Sequence, residues 1–263
     1  MAPIAVSLRN HVCRNRFGSV KCSSLEDILG LCNHVLQTSP LALNEELINM
    51  DEATQFGLYD SAFEKSSCGV GFLTRKDGKQ THELLVKGHE ALCAVPHRGG
   101  MSAEGVGDGA GVSVDLSVEF FNKVTNSKLT PGEFGVANFF LPNDPSQHQS
   151  ARELVDLALE AQGMKILVTR DVQVDNSVLR PASVKYQLPI AQWVFAAPAG
   201  VRGTQLDKVI HKALLAIESK AYTEVALDGL YPLSMSAQMQ VLKGRLNSNE
   251  IIPYFLDLND SAH

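Results

Sequence analysis

Along residues 145–163, "PSQHQSARELVDLALEAQG", apolar positions return every three or four residues. Ala151, Leu154, Val155, Ala158 and Leu159 form one stripe, which predicts an amphipathic helix, and Gly163 supplies its stop. "TQLDKVIHKALLAIESKAY" repeats the pattern with Leu206, Val209, Ile210, Ala213, Leu214 and Ile217 facing inward. A third helix is expected in "THELLVKGHEALCAV", with Leu84, Gly88, Leu92 and Val95 in register, Thr81 as N-cap and Pro96 as the stop. Elsewhere the period shortens. "CGVGFLTR" places Val70 and Phe72 on one face with glycines opposite, and "KDGK" after it is a hairpin-type turn signal. "AGVSVDLSVEFF" reads as a strand throughout, as do "FGVANFFL", "KILVTRDVQV", "QWVFAAPA", "LYPLSMS" and "MQVLKG". Strands broken by helices without strict alternation predict an α+β fold, sheets covered by helices, over a doubly wound parallel sheet.

The first 67 residues read differently. "MAPIAVSLRNHVCRNRFGSVKCSS" carries Arg9, Arg14, Arg16 and Lys21 and no acid, the composition of an organelle transit segment or of a disordered basic start. "LEDILGLCNHVL" is a short amphipathic stretch without evident chemistry.

Composition narrows the partners. The net charge of −6 and the lack of a basic stripe argue against nucleic acid. No apolar run approaches the roughly 18–20 residues that span a bilayer, so no membrane partner is expected. Five cysteines, Cys13, Cys22, Cys32, Cys68 and Cys93, are an odd number with no C-x-x-C pair, which favours a reducing compartment over a disulfide framework. The histidines show no metal-ligand spacing, so no metal site is expected.

Three stretches could carry chemistry. "GVGDGAGV", residues 105–112, lacks the G-x-G-x-x-G spacing of a dinucleotide loop and the Lys-Ser/Thr of a phosphate loop. A glycine-rich turn with close backbone approach is expected there, with Asp108 satisfying backbone N–H groups. "PHRGG" sets Arg98 beside Gly99 and Gly100. A guanidinium there would either grip a substrate carboxylate in bidentate fashion or pair with an internal acid and hold the loop. Cys68, at the mouth of a strand after Ser66 and Ser67, is either a half-buried thiol or a nucleophile.

Taken in order, "CGVGFLTRKDGKQTHELLVKGHEAL", "HRGG", "GDGAGV" and "EFF" resemble the class II glutamine amidotransferase domain at the start of the glutamate synthase large subunit. "FGVANFFLP", "QLPIAQWVFAAP", "LLAIESKAY", "LYPLSMS" and "VLKGRL" fit the same domain, so the resemblance covers roughly residues 57–260. It implies a four-layer αββα sandwich of the N-terminal nucleophile hydrolase type, here partial. Residues 1–67 would be a leader or propeptide-like extension, and 68–263 the N-terminal part of the amidotransferase domain. Cys68 would become the first residue once Ser67–Cys68 is cut. Its sulfur would be the catalytic nucleophile releasing ammonia from L-glutamine, with Arg98, Gly99 and Asp108 binding substrate or shaping the site.

The same resemblance implies partners beyond this segment. The ammonia would pass to a synthase region of the same enzyme that carries FMN and an iron–sulfur cluster, with a small reductase subunit as a further candidate partner. No cofactor is expected in the segment itself. After "YFLDLND" the family continues with "RFSTNT"-like and "HNGEIN"-like segments that supply a carboxylate-binding arginine and the oxyanion hole. The sequence ends at His263 before both, the expectation being a fragment or a degenerate copy. "SMSAQMQV" also departs from the family's Ser-Arg-Thr, which calls the local hydrogen bonding into question, and "HRGG" replaces the commoner "HRGA". The alternatives are a truncated, non-catalytic glutamine- or subunit-binding module, or another class II amidotransferase. The cytoplasm is the expected location, with plastid or mitochondrion as the alternative if the basic leader is a transit peptide.

Overall fold

Residues 4–8, 69–223, 227 and 229–263 are described in the computed structural model of the chain. Their elements are β1 (Ile4–Leu8), β2 (Gly69–Leu73), α1 (His82–Cys93), β3 (Ala110–Asp115), α2 (Val118–Thr125), β4 (Phe134–Phe140), α3 (His148–Ala161), β5 (Lys165–Asp171), α4 (Pro181–Val184), β6 (Ile190–Ala196), α5 (Thr204–Thr223), β7 (Tyr231–Ser236), β8 (Met239–Gly244) and α6 (Ile251–Tyr254). The described strands form two four-stranded sheets, ordered β2-β1-β3-β8 and β5-β6-β4-β7. Every ladder is antiparallel. The mixed fold expected from the periodicities is therefore observed.

The central strands of the second sheet, β4 and β6, are buried on both faces, which explains their near-continuous apolar sequences. Ala137 and Phe139 of β4, with Ala191, Trp193 and Phe195 of β6, pack under α3 and α5. The stripe Ala151, Leu154, Val155, Ala158 and Leu159 lies in that core, as do Leu206, Ile210, Ala213 and Ile217 of α5. Trp193 Nε1–H donates to Asp156 Oδ1 at 2.6 Å and fixes α3 across the sheet. The opposite residues of the same strands, Val136 and Val194, meet Phe120 and Phe121 of α2.

That opposite face also carries buried amides. Gln192 Nε2 donates to Asn138 Oδ1 (2.9 Å) and Gln240 Oε1 (3.1 Å), and Asn138 Nδ2 donates to Gln240 Oε1 (3.2 Å). Gln240 lies on β8 of the first sheet, so these bonds tie one sheet to the other. Gln192 Oε1 accepts from Arg170 Nε at 2.9 Å, and Arg170 pairs with Asp257. At the other end, Gln240 Nε2 lies 2.9 Å from His263 Nε2. A buried amide without partners is costly, and here each satisfies the next.

Two local expectations are revised. "AGVSVDLSVEFF" is a strand only to Asp115. Ser117 then caps α2, its hydroxyl accepting the Phe120 N–H at 3.2 Å, so the paired phenylalanines are helical. "KDGK" turns tightly, Gly78 N–H donating to Arg75 O at 3.0 Å, but leads from β2 into α1 and not into a second strand of a hairpin. The helix α1 starts at the expected cap, the Thr81 hydroxyl accepting from Leu84 N–H at 3.3 Å. It buries Leu85, Gly88 and Leu92.

β1 comes from the stretch whose charge suggested a transit segment. It lies in the interior of the first sheet, pairing Ile4–Leu8 with Leu73–Gly69 on one edge and Ala5–Leu8 with Ser113–Ala110 on the other. The described residues belong to one compact unit.

Candidate functional site

The first sheet brings one row of residues to a common end. Gly69 faces Leu8, Leu8 faces Ala110, and Ala110 faces Gly244. Cys68, bonded to Gly69, and Ser67 lie outside the described residues, as does the rest of the leader except β1.

Beside Ala110 the chain forms a small hairpin. Asp108 N–H donates to Gly100 O at 3.0 Å, Met101 bridges Gly107, and Ser102 N–H donates to Val106 O at 2.9 Å. The expected glycine-rich turn is thus observed, and it joins "HRGG" to "GDGAG". Gly105 sits at φ +81°, in the left-handed region that favours glycine. At Gly107 the requirement is spatial: a Cβ there would fall 2.4 Å from the Leu246 carbonyl oxygen.

Arg98 closes the short 3-10 turn Pro96–Arg98 and is exposed. Gly99 follows it, its N–H donating to Pro96 O at 3.1 Å. Asp108 is exposed at the hairpin's end. Of these three only Asp108 lines the adjoining cleft, a cavity of about 600 Å³. Arg98 is not among the described residues that line it.

Other cations do line the cleft. Arg245 stacks 4.6 Å from the centre of the Tyr186 ring, and Lys243 lies 4.8 Å from that of Tyr231. The signal was in the sequence: "LKGR" puts Lys243 just before and Arg245 just after Gly244, where β8 ends in the row just described. A cation held over an aromatic face stays available to an anion while losing little freedom.

Gln238 and Asp207 resolve the departure at "SMSAQMQV". Gln238 Nε2 donates to Asp207 Oδ2 at 2.6 Å, and Ala237 N–H donates to Asp207 Oδ1 at 3.3 Å. The turn between β7 and β8 is therefore hydrogen-bonded with the residues present.

Cys93 offers a contrast to Cys68. Its Sγ is 3.6 Å from His89 Nε2, but that nitrogen lies 3.0 Å from the Ser248 carbonyl, which can only accept. The proton thus sits on Nε2, and His89 cannot take one from the thiol. Burial pushes the Cys93 pKa up and that of His89 down. A thiol without a base and with a raised pKa is a poor nucleophile. Among the described residues no group of three or more His, Cys, Asp or Glu could hold a metal ion. No described helix is long and apolar enough to cross a membrane.

Comparison with known proteins decides the family. The family model of class-II glutamine amidotransferases matches residues 68–263. The chain belongs to this family. The amidotransferase chain is 31% identical over 205 residues to ferredoxin-dependent glutamate synthase 2 of Synechocystis, an alignment covering 76% of the chain. It is 30% identical over 214 residues, 78% of the chain, to the NADH glutamate synthase of Schizosaccharomyces pombe. Against the chloroplastic/mitochondrial ferredoxin-dependent glutamate synthase 1 of Arabidopsis thaliana it is 29% identical over 256 residues, 95% of the chain. The alignments span only 13%, 10% and 15% of those relatives' own lengths.

Proposed function

We propose that the chain is the glutaminase part of a glutamate synthase, releasing ammonia from L-glutamine through a thioester on Cys68. The observation that carries this is the starting point of the family match, which is Cys68 itself. The chemistry needs that residue at an N-terminus. Water cuts the Ser67–Cys68 peptide bond, leaving a carboxylate on Ser67 and a free amine on Cys68. An α-amino group with a pKa near ~7.7–8.0 can take the thiol's proton, so one residue holds both nucleophile and base. The thiolate attacks the side-chain amide carbon of glutamine. The tetrahedral intermediate collapses, the amine returns its proton to the leaving nitrogen, and ammonia departs. Water then attacks the thioester, glutamate leaves, and the thiol is restored.

Residues around Gly69 suit this reaction. The hairpin that joins Gly100 to Asp108, preceded by Arg98 and Gly99, leads into Ala110 of the same row and shapes the site. The cleft beside it is large enough for an amino acid, and Arg245 offers a held cation for the α-carboxylate. We assign the two sheets and their flanking helices to a four-layer sandwich. The ammonia would go to a synthase region bearing FMN and an iron–sulfur cluster, and a small reductase subunit would complete the assembly. The cysteine usage fits a reducing compartment, the cytoplasm or an organelle stroma or matrix.

The test is covalent labelling. Purified protein treated with an electrophilic glutamine analogue is expected to carry one adduct, mapped to Cys68 at a new N-terminus, with Cys93 unmodified. A protein that begins at Cys68 yet takes the label on Cys93, or takes none, would refute the assignment.

A further inference from the structure

The first sheet holds a strand that the class II amidotransferase match, beginning at Cys68, does not include. We infer that the slot between β2 and β3 is a strand-binding site, and that its occupant is the N-terminal segment Ile4–Leu8. The segment therefore stays seated after the chain is cut before Cys68, so the processed protein is a two-piece complex. The last step rests on the cleavage proposed above, whereas the slot and its occupant do not.

Position in the sheet carries the inference. β1 is not an edge strand: it aligns five residues with β2 and four with β3. Among the described strands β2 pairs with β1 alone. β1 is thus what attaches the strand following Cys68 to the rest of the sheet. Neighbouring strands lie roughly 4.7–4.9 Å apart, so β2 and β3 stand about two spacings from each other. They cannot pair if β1 leaves unless β2 shifts by a full strand. Removal would leave unpaired backbone groups within Ala110–Ser113 of β3, where Ala110 and Val112 are buried. "IAVSL" has no proline to interrupt the ladder and two β-branched residues that suit an interior strand. Addition of an extended segment to a sheet draws its affinity from main-chain hydrogen bonds. Here both edges of the segment contribute.

The functional consequence concerns Gly69, whose partner is Leu8. The amine released at Cys68 would lie one residue beyond a row that the cut-off segment holds in place. Before the cut Ser67 acylates this nitrogen; after it, Ile4–Leu8 of the same leader stays as its structural support.

The experiment places a site-specific protease sequence within residues 11–66 of the full chain and cuts there. Under native size exclusion the N-terminal fragment is expected to co-elute with the remainder, and both masses to be found in one peak. Backbone amides at Gly71 and Gly111, which face Val6 and Ser7 of the segment, should stay protected from hydrogen exchange after the cut. Val6→Pro removes an N–H from the strand that faces Gly71 and Val112. The cut variant is expected to lose the fragment and the protection. A wild-type fragment that elutes alone, or free exchange at Gly111 in cut wild-type protein, would overturn the inference. So would retention of the fragment by Val6→Pro with protection unchanged. None of these readouts needs the Ser67–Cys68 bond to break. An intact Ser67–Cys68 bond would count against the proposed cleavage alone.

Discussion

Gln192→Leu tests whether the amide network fastens one sheet to the other. Leucine matches glutamine in size but makes no hydrogen bonds. Asn138 Oδ1 would lose the 2.9 Å donor and Arg170 Nε its 2.9 Å acceptor, while Gln240 Oε1 would keep Asn138 Nδ2. Asn138 and Gln240 are almost wholly buried, so water cannot replace the lost partner. Each orphaned group costs about 1–3 kcal/mol, which for two gives about 2–6 kcal/mol. Better burial of leucine offsets about 1 kcal/mol of that. The expected loss is about 1–5 kcal/mol in urea unfolding, read as a lower midpoint at unchanged m. Asn138→Leu in the same background removes one of the groups the first change orphaned. The double variant should therefore lose less than the sum of the singles, by at least about 1 kcal/mol. A single-variant loss under about 1 kcal/mol, or strict additivity, would show that these amides are not coupled as described.

Burial pulls two ionisable groups that line one small cavity in opposite directions: His263 down to about 4 and Asp115 up to about 6. Between about pH 4 and 6.5 the unfolded state binds more protons at His263, so that contribution to stability is full above 6.5 and lost as pH falls; Asp115 acts oppositely from about 4 to 6. Asp115→Asn should therefore steepen the rise of melting temperature from pH 4 to 6.5, and an unchanged slope would refute the opposition. Gly107→Ala forces a Cβ against the Leu246 backbone and should cost about 1–3 kcal/mol in urea unfolding, whereas Gly71→Ala meets nothing within 4 Å and should stay within about 0.5 kcal/mol. Arg245→Ala should weaken L-glutamate binding by calorimetry at least tenfold while Arg98→Ala weakens it less; the reverse order would return the carboxylate to Arg98.

The helices were the most legible part of the sequence, because their buried stripes recur over three turns or more. All five apolar positions chosen on α3 are buried, and on α5 only Val209 and Leu214 are partly covered. The strand from Ala110 was read too long because Val118, Phe120 and Phe121 continue the apolar run past Ser117; only the cap marks the change. The amide network was legible in principle. Asn138, Gln192 and Gln240 are each a single amide inside an apolar strand, a placement that requires partners. Which amide meets which depends on sheet packing that no local pattern encodes. β1 was hidden by its neighbours, since four cations in the first 24 residues outweighed a five-residue stretch with four apolar positions. Val70 and Phe72 share a face as expected, but that face is open to solvent, 70% and 64% exposed. The hairpin of Asp108 followed from its glycines, whereas the choice of Arg245 over Arg98 at the cleft needed three dimensions.

The place of β1 in its sheet also sets an order of events during synthesis. The strand leaves the ribosome before either of its partners, and the second of them is complete only at Asp115. At about 5–20 residues per second, the nascent segment waits roughly 3–13 s before β2 is made and roughly 5–20 s before β3 is. A freshly made chain is therefore open to pairing with a neighbour's, and dense polysomes would favour exchange of this strand between copies.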